Sequence, residues 1–132
     1  MSMSDPIADM ITRIRNAGKA KFPSCDIPGS KLKVELAKLL QKNGYIKNYK
    51  FVEDGKQGML RIYLKYESDG THVIYGIDRV SKCSRRVYKK CKDIKPVYNG
   101  LGIAIVSTSN GIMSDKQAVK ENLGGEILCN IW

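Results

Sequence analysis

Three hydroxyl residues in a row, Ser107, Thr108 and Ser109, are followed directly by Asn110 and Gly111. Short side chains of this kind both donate and accept hydrogen bonds, so they can bind a base edge or a phosphate. No candidate general base lies nearby in the sequence, so we expect these residues to recognise a partner rather than to catalyse a reaction. The alternative is an ordinary polar turn, because such residues are common after strands.

A second candidate is the basic stretch 79–98, which carries eight of the 23 lysines and arginines but only one acidic residue. The chain of 132 residues has a net charge of +10, and most of that excess lies in this stretch. Lysine and arginine neutralise phosphates and release counterions, and an exposed tyrosine can stack on a base. The pattern predicts contact with a polyanion, nucleic acid before an anionic membrane, through Arg86, Tyr88, Lys89 and Lys90. For Tyr88 alone, the alternative is a position in the core or at a sheet edge.

A tight turn followed by a carboxylate, Gly124-Gly125-Glu126, is the third candidate. The carboxylate can accept hydrogen bonds from base amino groups or from a ribose hydroxyl. It can equally balance a nearby lysine in so basic a chain. The sequence leaves both interpretations open.

The sequence lacks the residue sets of common enzyme chemistry. It has no paired catalytic carboxylates, no Ser/His/Asp set and no P-loop, and Gly100-Leu101-Gly102 lacks the third glycine of a dinucleotide fingerprint. The four cysteines have no Cys-x-x-Cys spacing, and the single histidine, His72, is distant from each. We therefore expect no enzyme activity, no metal, no cofactor and no small-molecule substrate.

Apolar runs in the chain are short. None approaches the roughly 20 residues of a membrane span, and the first residues lack the pattern of a signal peptide. We therefore expect a cytoplasmic protein with reduced cysteines and no membrane partner.

Apolar patterning in the second half predicts the elements that position these groups. The first half of the stretch 100–111 is apolar, rich in β-branched residues and bounded by glycine, which predicts a buried strand within 97–108 that ends at the hydroxyl residues. Further strands are predicted at 73–77 and 126–132. A short helix is predicted to open at Ser114, which would form a capping box with Gln117. This half is therefore predicted to be mostly β with one helix.

The first half has the pattern of a small α/β unit. An apolar stripe at helical spacing predicts a helix capped by Ser4 or Asp5 and ending near residues 16–18. An edge strand is predicted at 22–28, a second helix at 31–42 with its lysines on the wet face, and a hairpin of strands 45–52 and 59–66. The predicted fold class is α+β, with an N-terminal domain over 1–66, a linker at 67–72 and a C-terminal RNA-binding domain over 73–132.

Three segments, 5–16, 100–111 and 124–129, resemble in order the bacterial small-subunit ribosomal protein eight family, and the resemblance extends over essentially the whole chain. Two departures stand out. Asn110 occupies a place where a basic residue is common in the family, and Cys83-Ser84 stand where the family often has Pro-Gly. Neither departure changes the hydroxyl triplet.

The resemblance implies a structural protein of the ribosome that binds the central domain of small-subunit rRNA and promotes subunit assembly. It implies further contacts with neighbouring small-subunit ribosomal proteins. The alternative function is a translational repressor that binds its own operon mRNA as a mimic of the rRNA site. In the second half, the resemblance assigns RNA contact to the hydroxyl loop, the glycine turn and Tyr88. In the first half it assigns contact with neighbouring rRNA helices to Asp5, Pro6, Asp9, Arg13, Arg15, Asn16, Lys31 and Lys33. For Arg13 and Arg15, a solvated helix face is the alternative.

Overall fold

Residues 5–132, the part of the chain that this computed structural model describes, contain three α-helices, two short 3₁₀ helices and eight β-strands. All the strand pairs within the two sheets are antiparallel. The predicted α+β class is confirmed. The chain divides into two units, one ending at Ile74 and the other comprising Tyr75–Trp132. The sequence-based domain limits, 1–66 and 73–132, stay a prediction.

The first unit packs two helices with a three-stranded sheet of order β1-β3-β2. Its elements are α1 (Pro6–Lys19), β1 (Ser24–Pro28), α2 (Lys31–Lys42), β2 (Ile46–Val52) and β3 (Met59–Leu64). The Asp5 carboxylate caps α1 by accepting from the N–H groups of Ile7 and Ala8 at 3.2 and 3.1 Å. The predicted Asp5 cap is therefore confirmed, while the other candidate, Ser4, lies outside the described residues. β1 is an edge strand, as its prolines predict.

Lys33 does not lie on the solvent-exposed face of α2, where the sequence predicts it. Its side chain is buried, and its Nζ donates to the Pro28 carbonyl oxygen at 2.9 Å. Leu36 and Ala37 follow three and four residues later on the helix, so Lys33 shares their buried face. The long aliphatic stem covers apolar surface while the ammonium reaches a carbonyl, and burial lowers the pKa of this lysine.

The second unit is a sheet of order β4-β8-β6-β7, with β5 also paired to β8. Its elements are β4 (Ile77–Arg79), β5 (Tyr88–Lys89), β6 (Ile103–Thr108), β7 (Gly111–Ser114), α3 (Asp115–Lys120) and β8 (Gly125–Ile131). Val106, Ile127 and Met113 belong to an apolar cluster that α3 joins through Ala118. Because β8 pairs with β4, β5 and β6, it organises this unit.

Two local predictions for the second unit are wrong in detail. The strand predicted at 73–77 begins only at Ile77, because the N–H groups of Tyr75 and Gly76 both donate to the Trp132 carbonyl and no regular ladder forms there. Ser114 does cap α3, its Oγ accepting from the Gln117 N–H at 3.2 Å. The Gln117 side chain, however, bonds Glu121 instead of completing the capping box.

Within residues 5–132, no helix combines the length and the apolar character that crossing a membrane requires.

Candidate nucleic-acid interface

The hydroxyl residues form the tip of the β6–β7 hairpin. Thr108 lies opposite Gly111, so Ser109 and Asn110 make a two-residue connection. Thr108 Oγ1 donates to the Gly111 carbonyl oxygen at 2.8 Å and accepts from the Asn110 N–H at 3.1 Å. Gly111 has a φ of +105°, a conformation that favours glycine. The threonine hydroxyl therefore shapes the turn, and the exposed Ser109 and Asn110 side chains project from it.

The three other polar side chains of the hydroxyl loop differ from that of Thr108. Among residues 5–132, nothing accepts from or donates to the hydroxyls of Ser107 and Ser109 or the Asn110 side-chain amide. Ser107 is half-buried at the end of β6, whereas Ser109 is exposed at the tip. These three polar groups are available to an outside partner.

Two adjacent glycines bring three segments of backbone together. A β-carbon on Gly125 would overlap the carbonyl oxygen of Ser107, and one on Gly124 would lie 2.5 Å from the carbonyl oxygen of Lys89. Only glycine permits such approach without moving backbone. The start of β8 can therefore lie directly between the hydroxyl hairpin and the basic segment that contains β5.

Strand register places three of the candidate residues in one row. Glu126 on β8 pairs with Ser107 on β6 and, on its other side, with Tyr88 on β5. Directly opposed residues share a face, and neighbouring strands lie about 4.8 Å apart, so the row spans about 10 Å. Tyr88 is 68% exposed on this row, so its ring is available for stacking.

The Glu126 carboxylate already has partners inside the protein. Its Oε2 accepts from Ser81 Oγ at 2.5 Å and from Arg86 Nη1 at 3.0 Å. The hydrogen bond from Ser81, followed by that from Arg86, lowers the pKa of Glu126, so the group is ionised at neutral pH. Of the two interpretations left open by the sequence, the structure supports charge balance, with Arg86 rather than a lysine as the partner.

Ser81 is the residue of this site that sequence analysis missed. It has no exposed surface, although it lies inside the most basic stretch of the chain. A serine among lysines and arginines is typical of solvated surface, so no pattern in the sequence marks it. Only the pairing of segments 45 residues apart reveals its contact with Glu126.

The cations around this row are exposed. Lys89 pairs with Gly125 on β8 and Lys90 follows it, both with exposed side chains. Lys82 and Arg85 exchange backbone hydrogen bonds of 2.9 and 3.0 Å, which closes a tight turn carrying Cys83-Ser84 at its tip. The glycine turn, the hydroxyl loop and the basic segment thus form one continuous surface of the second unit. We call this surface the β8 surface; its candidate residues are Arg86, Tyr88, Lys89, Lys90, Ser107, Thr108, Ser109, Asn110, Gly111, Gly124, Gly125 and Glu126.

The candidate residues of the first unit have a mixed environment. Arg13 bonds Asp9 through its Nε at 3.0 Å and the Asp26 carbonyl oxygen through Nη1 at 3.2 Å. Asp5 and Arg15 are half-buried and Lys33 is buried. The remaining candidates are exposed: Pro6, Asp9, Arg13, Asn16 and Lys31. The structure therefore brings Asp9 and Arg13 together but turns the Lys33 side chain inward.

The cysteines are placed as small core or surface residues. Cys129 is buried, as predicted, and burial raises the pKa of its thiol to about 12. Burial also raises the pKa of Cys25 to about 11. In the described part of the chain, no group of three or more His, Cys, Asp or Glu side chains is arranged to hold a metal ion.

Comparison with known proteins gives one consistent result. The family model described as Ribosomal protein S8 matches residues 5–132. Small ribosomal subunit protein uS8 of Geotalea daltonii is 58% identical over 132 residues, covering 100% of both chains. Proteins of the same name from Geotalea uraniireducens and Clostridioides difficile are 57% and 53% identical, again over 100% of both chains.

Proposed function

This chain belongs to the ribosomal protein S8 family, and from that premise we propose that it binds small-subunit rRNA directly through the β8 surface. Family membership confirms the resemblance seen in the sequence and identifies a ribosomal protein of the small subunit. The expected location, the ribosome in the cytoplasm, follows from the same membership.

The observation that carries the proposal is the row of Tyr88, Glu126 and Ser107 beside the hydroxyl hairpin. A regular A-form helix has a major groove too narrow for side chains, so sequence-specific recognition targets irregular, unstacked RNA. An exposed tyrosine beside outward hydroxyls within about 10 Å suits such a site, because one base can stack while neighbouring groups are hydrogen-bonded. The RNA we propose is an irregular element of the central domain.

Each group on the β8 surface has a chemical role in this proposal. Ser107, Ser109 and Asn110 hydrogen-bond base edges and sugar hydroxyls. Lys89 and Lys90 contact phosphates. Thr108, Gly111, Gly124 and Gly125 shape the backbone that presents them. Glu126 holds Arg86, which presents its remaining N–H donors to the RNA.

For the first unit we propose a separate rRNA contact on the exposed side of α1 and the beginning of α2. Arg13, Asn16 and Lys31 have exposed side chains suited to it, with Pro6 and Asp9 on the same segment and the half-buried Arg15 beside them. Asp5 acts as the helix cap. Lys33 supports the Pro28 carbonyl rather than an RNA phosphate.

In this proposal the protein has no catalytic role. By binding the central domain early, it promotes assembly of the small subunit together with neighbouring ribosomal proteins. The repressor alternative has no separate observation in its favour, and we do not propose it.

The test is a titration against a central-domain rRNA fragment and a plain duplex over a range of salt. We expect the fragment to stay bound at salt that abolishes duplex binding. Ser109→Ala should weaken fragment binding roughly three- to tenfold and leave duplex binding unchanged. Ser68→Ala, an exposed serine of the first unit, is the matched control and should change neither. The proposal would be contradicted if salt weakened the binding of fragment and duplex in parallel. Equal effects of Ser109→Ala and Ser68→Ala on fragment binding would contradict it as well.

A further inference from the structure

We infer that Ser81 is a positioning residue for RNA recognition, whose buried hydroxyl joins Glu126 to Val87 and so fixes Arg86 and Tyr88 on the β8 surface. This inference rests on the proposed function. Ser81 has no exposed surface, so it acts through the residues it holds and not by touching RNA.

The hydroxyl of Ser81 both donates and accepts a hydrogen bond inside the protein. Its Oγ donates to Glu126 Oε2 at 2.5 Å and accepts from the Val87 N–H at 3.1 Å. A buried hydroxyl needs such partners, because leaving it unpaired is costly. One side chain therefore ties the beginning of the basic segment to Val87 in its middle and to Glu126 on β8.

These bonds close the neck of a cationic loop. Residues 82–86 are all exposed, and three of the five are lysine or arginine. At the neck, the Ser81 N–H donates to the Ile127 carbonyl at 3.0 Å, and the Ile127 N–H donates to the Val87 carbonyl at 2.9 Å. The Ser81 hydroxyl adds two side-chain bonds to this neck, one to the Val87 N–H and one to Glu126 on β8.

Arg86 is oriented through the same carboxylate oxygen. Its Nη1 donates at 3.0 Å to Glu126 Oε2, the atom that also accepts from Ser81. A guanidinium has five N–H donors, and within the described residues Glu126 alone accepts from it, so most donors remain for RNA. Arg86 is 47% exposed while its partner carboxylate is only 17% exposed. The Glu126 carboxylate thus holds the Arg86 guanidinium in a fixed position at the surface.

Glu126 also links this arrangement to the recognition row. It lies opposite Tyr88 on one side and Ser107 on the other. Val87, which donates to Ser81, is the residue directly before Tyr88. Loss of the Ser81 hydroxyl would therefore loosen the arginine and the tyrosine together.

The expected consequence is a loss of specificity rather than of charge. Ordering one long side chain before binding is worth roughly three- to tenfold in affinity. A loosened loop keeps its lysines and arginines, so its attraction to any phosphate backbone persists. Ser81→Ala should weaken binding to the irregular rRNA fragment by roughly that factor, with little change on a plain duplex.

The experiment compares Ser81→Ala with Ser114→Ala, a matched buried serine of the same unit. Ser114 also accepts from a backbone N–H, that of Gln117 at 3.2 Å, but at the start of α3. Dissociation constants for the central-domain fragment and the duplex are measured at a temperature where thermal unfolding shows each variant folded. Only Ser81→Ala should lower the ratio of fragment to duplex affinity. Ser81→Cys, which is slightly larger and a weaker donor, gives the same readout if the alanine variant does not fold.

A double-mutant cycle separates positioning from general loosening. In an Arg86→Ala background, the effect of Ser81→Ala on fragment binding should be smaller, because the guanidinium that Ser81 helps to position through Glu126 is absent. Additive effects, or an unchanged affinity ratio in Ser81→Ala, would overturn the inference. Wild-type protein that does not prefer the fragment would instead refute the proposed function itself, so the two failures are distinguishable.

Discussion

At the scale of single residues, neighbouring hydroxyls in the hairpin have different tasks. The Thr108 hydroxyl bonds two backbone groups of its own turn, whereas the Ser109 hydroxyl has no partner in the described protein. Thr108→Val, which keeps the branched shape, should lower the free energy of unfolding by about 0.5–1.5 kcal/mol. It should also weaken fragment binding, because the turn that presents Ser109 becomes mobile.

Guanidinium unfolding followed by the fluorescence of Trp132, the single tryptophan, checks this in the second unit. Ser109→Ala is the control: it should leave the unfolding midpoint unchanged while still weakening fragment binding. A midpoint for Thr108→Val equal to that of the wild type would show that its hydroxyl does not stabilise the turn.

The candidate groups themselves could be predicted from sequence, while their arrangement could not. Hydroxyls after a β-branched strand and a dense basic stretch are local patterns, so Ser109 and Lys89 were identifiable. Ser81 was not, because its burial depends on pairing with β8 far along the chain. Lys33 shows the same limit: its charge predicts exposure, but its place on the helix face decides burial.

At the scale of elements, the approach of β8 to its neighbours depends on Gly125. Alanine there would place a β-carbon against the backbone of Ser107 and Thr108, which has little room to yield. We expect Gly125→Ala to lower the free energy of unfolding by about 1–3 kcal/mol and to weaken fragment binding strongly, since β6 and β8 must separate.

Gly55→Ala supplies the control for binding. Gly55 lies in the β2–β3 connection with open space around it and a φ of +79°, so alanine there costs stability through backbone strain alone. It should leave fragment binding unchanged under conditions where both variants are folded. Equal loss of RNA affinity in the two variants would mean that stability, not the β8 surface, determines binding.

Helices and strands could be predicted from the sequence where the periodicity of apolar residues was strong. Apolar spacing located α1 and α2, the Asp5 cap located the start of α1, and alternation located β3, because a single face of each is buried. The strand predicted at 73–77 is displaced because Gly76 lies against Trp132, which is distant in sequence. A chain-end contact of that kind overrides local β-propensity.

At the scale of the whole molecule, the distribution of charge matters more than its total. The excess is concentrated in residues 79–98, whereas residues 99–132, which contain the hydroxyl hairpin, carry two basic and three acidic residues. In the proposed function, the β8 surface therefore combines a cationic segment that attracts any RNA with a nearly neutral hairpin that selects one. Such a division predicts that affinity and specificity respond to different substitutions.

Lys89→Ala tests this division against a simple effect of net charge. If Lys89 contacts one phosphate, its removal should weaken binding to fragment and duplex alike and reduce the slope of log affinity against log salt by about one. Lys120→Ala removes the same charge from an exposed site on α3, outside the β8 surface. It should leave the slope nearly unchanged, because a lysine that contacts no phosphate releases no bound counterion. Equal slopes for the two variants would mean that long-range attraction by the +10 chain, and not contact at the β8 surface, supplies the electrostatic part of binding.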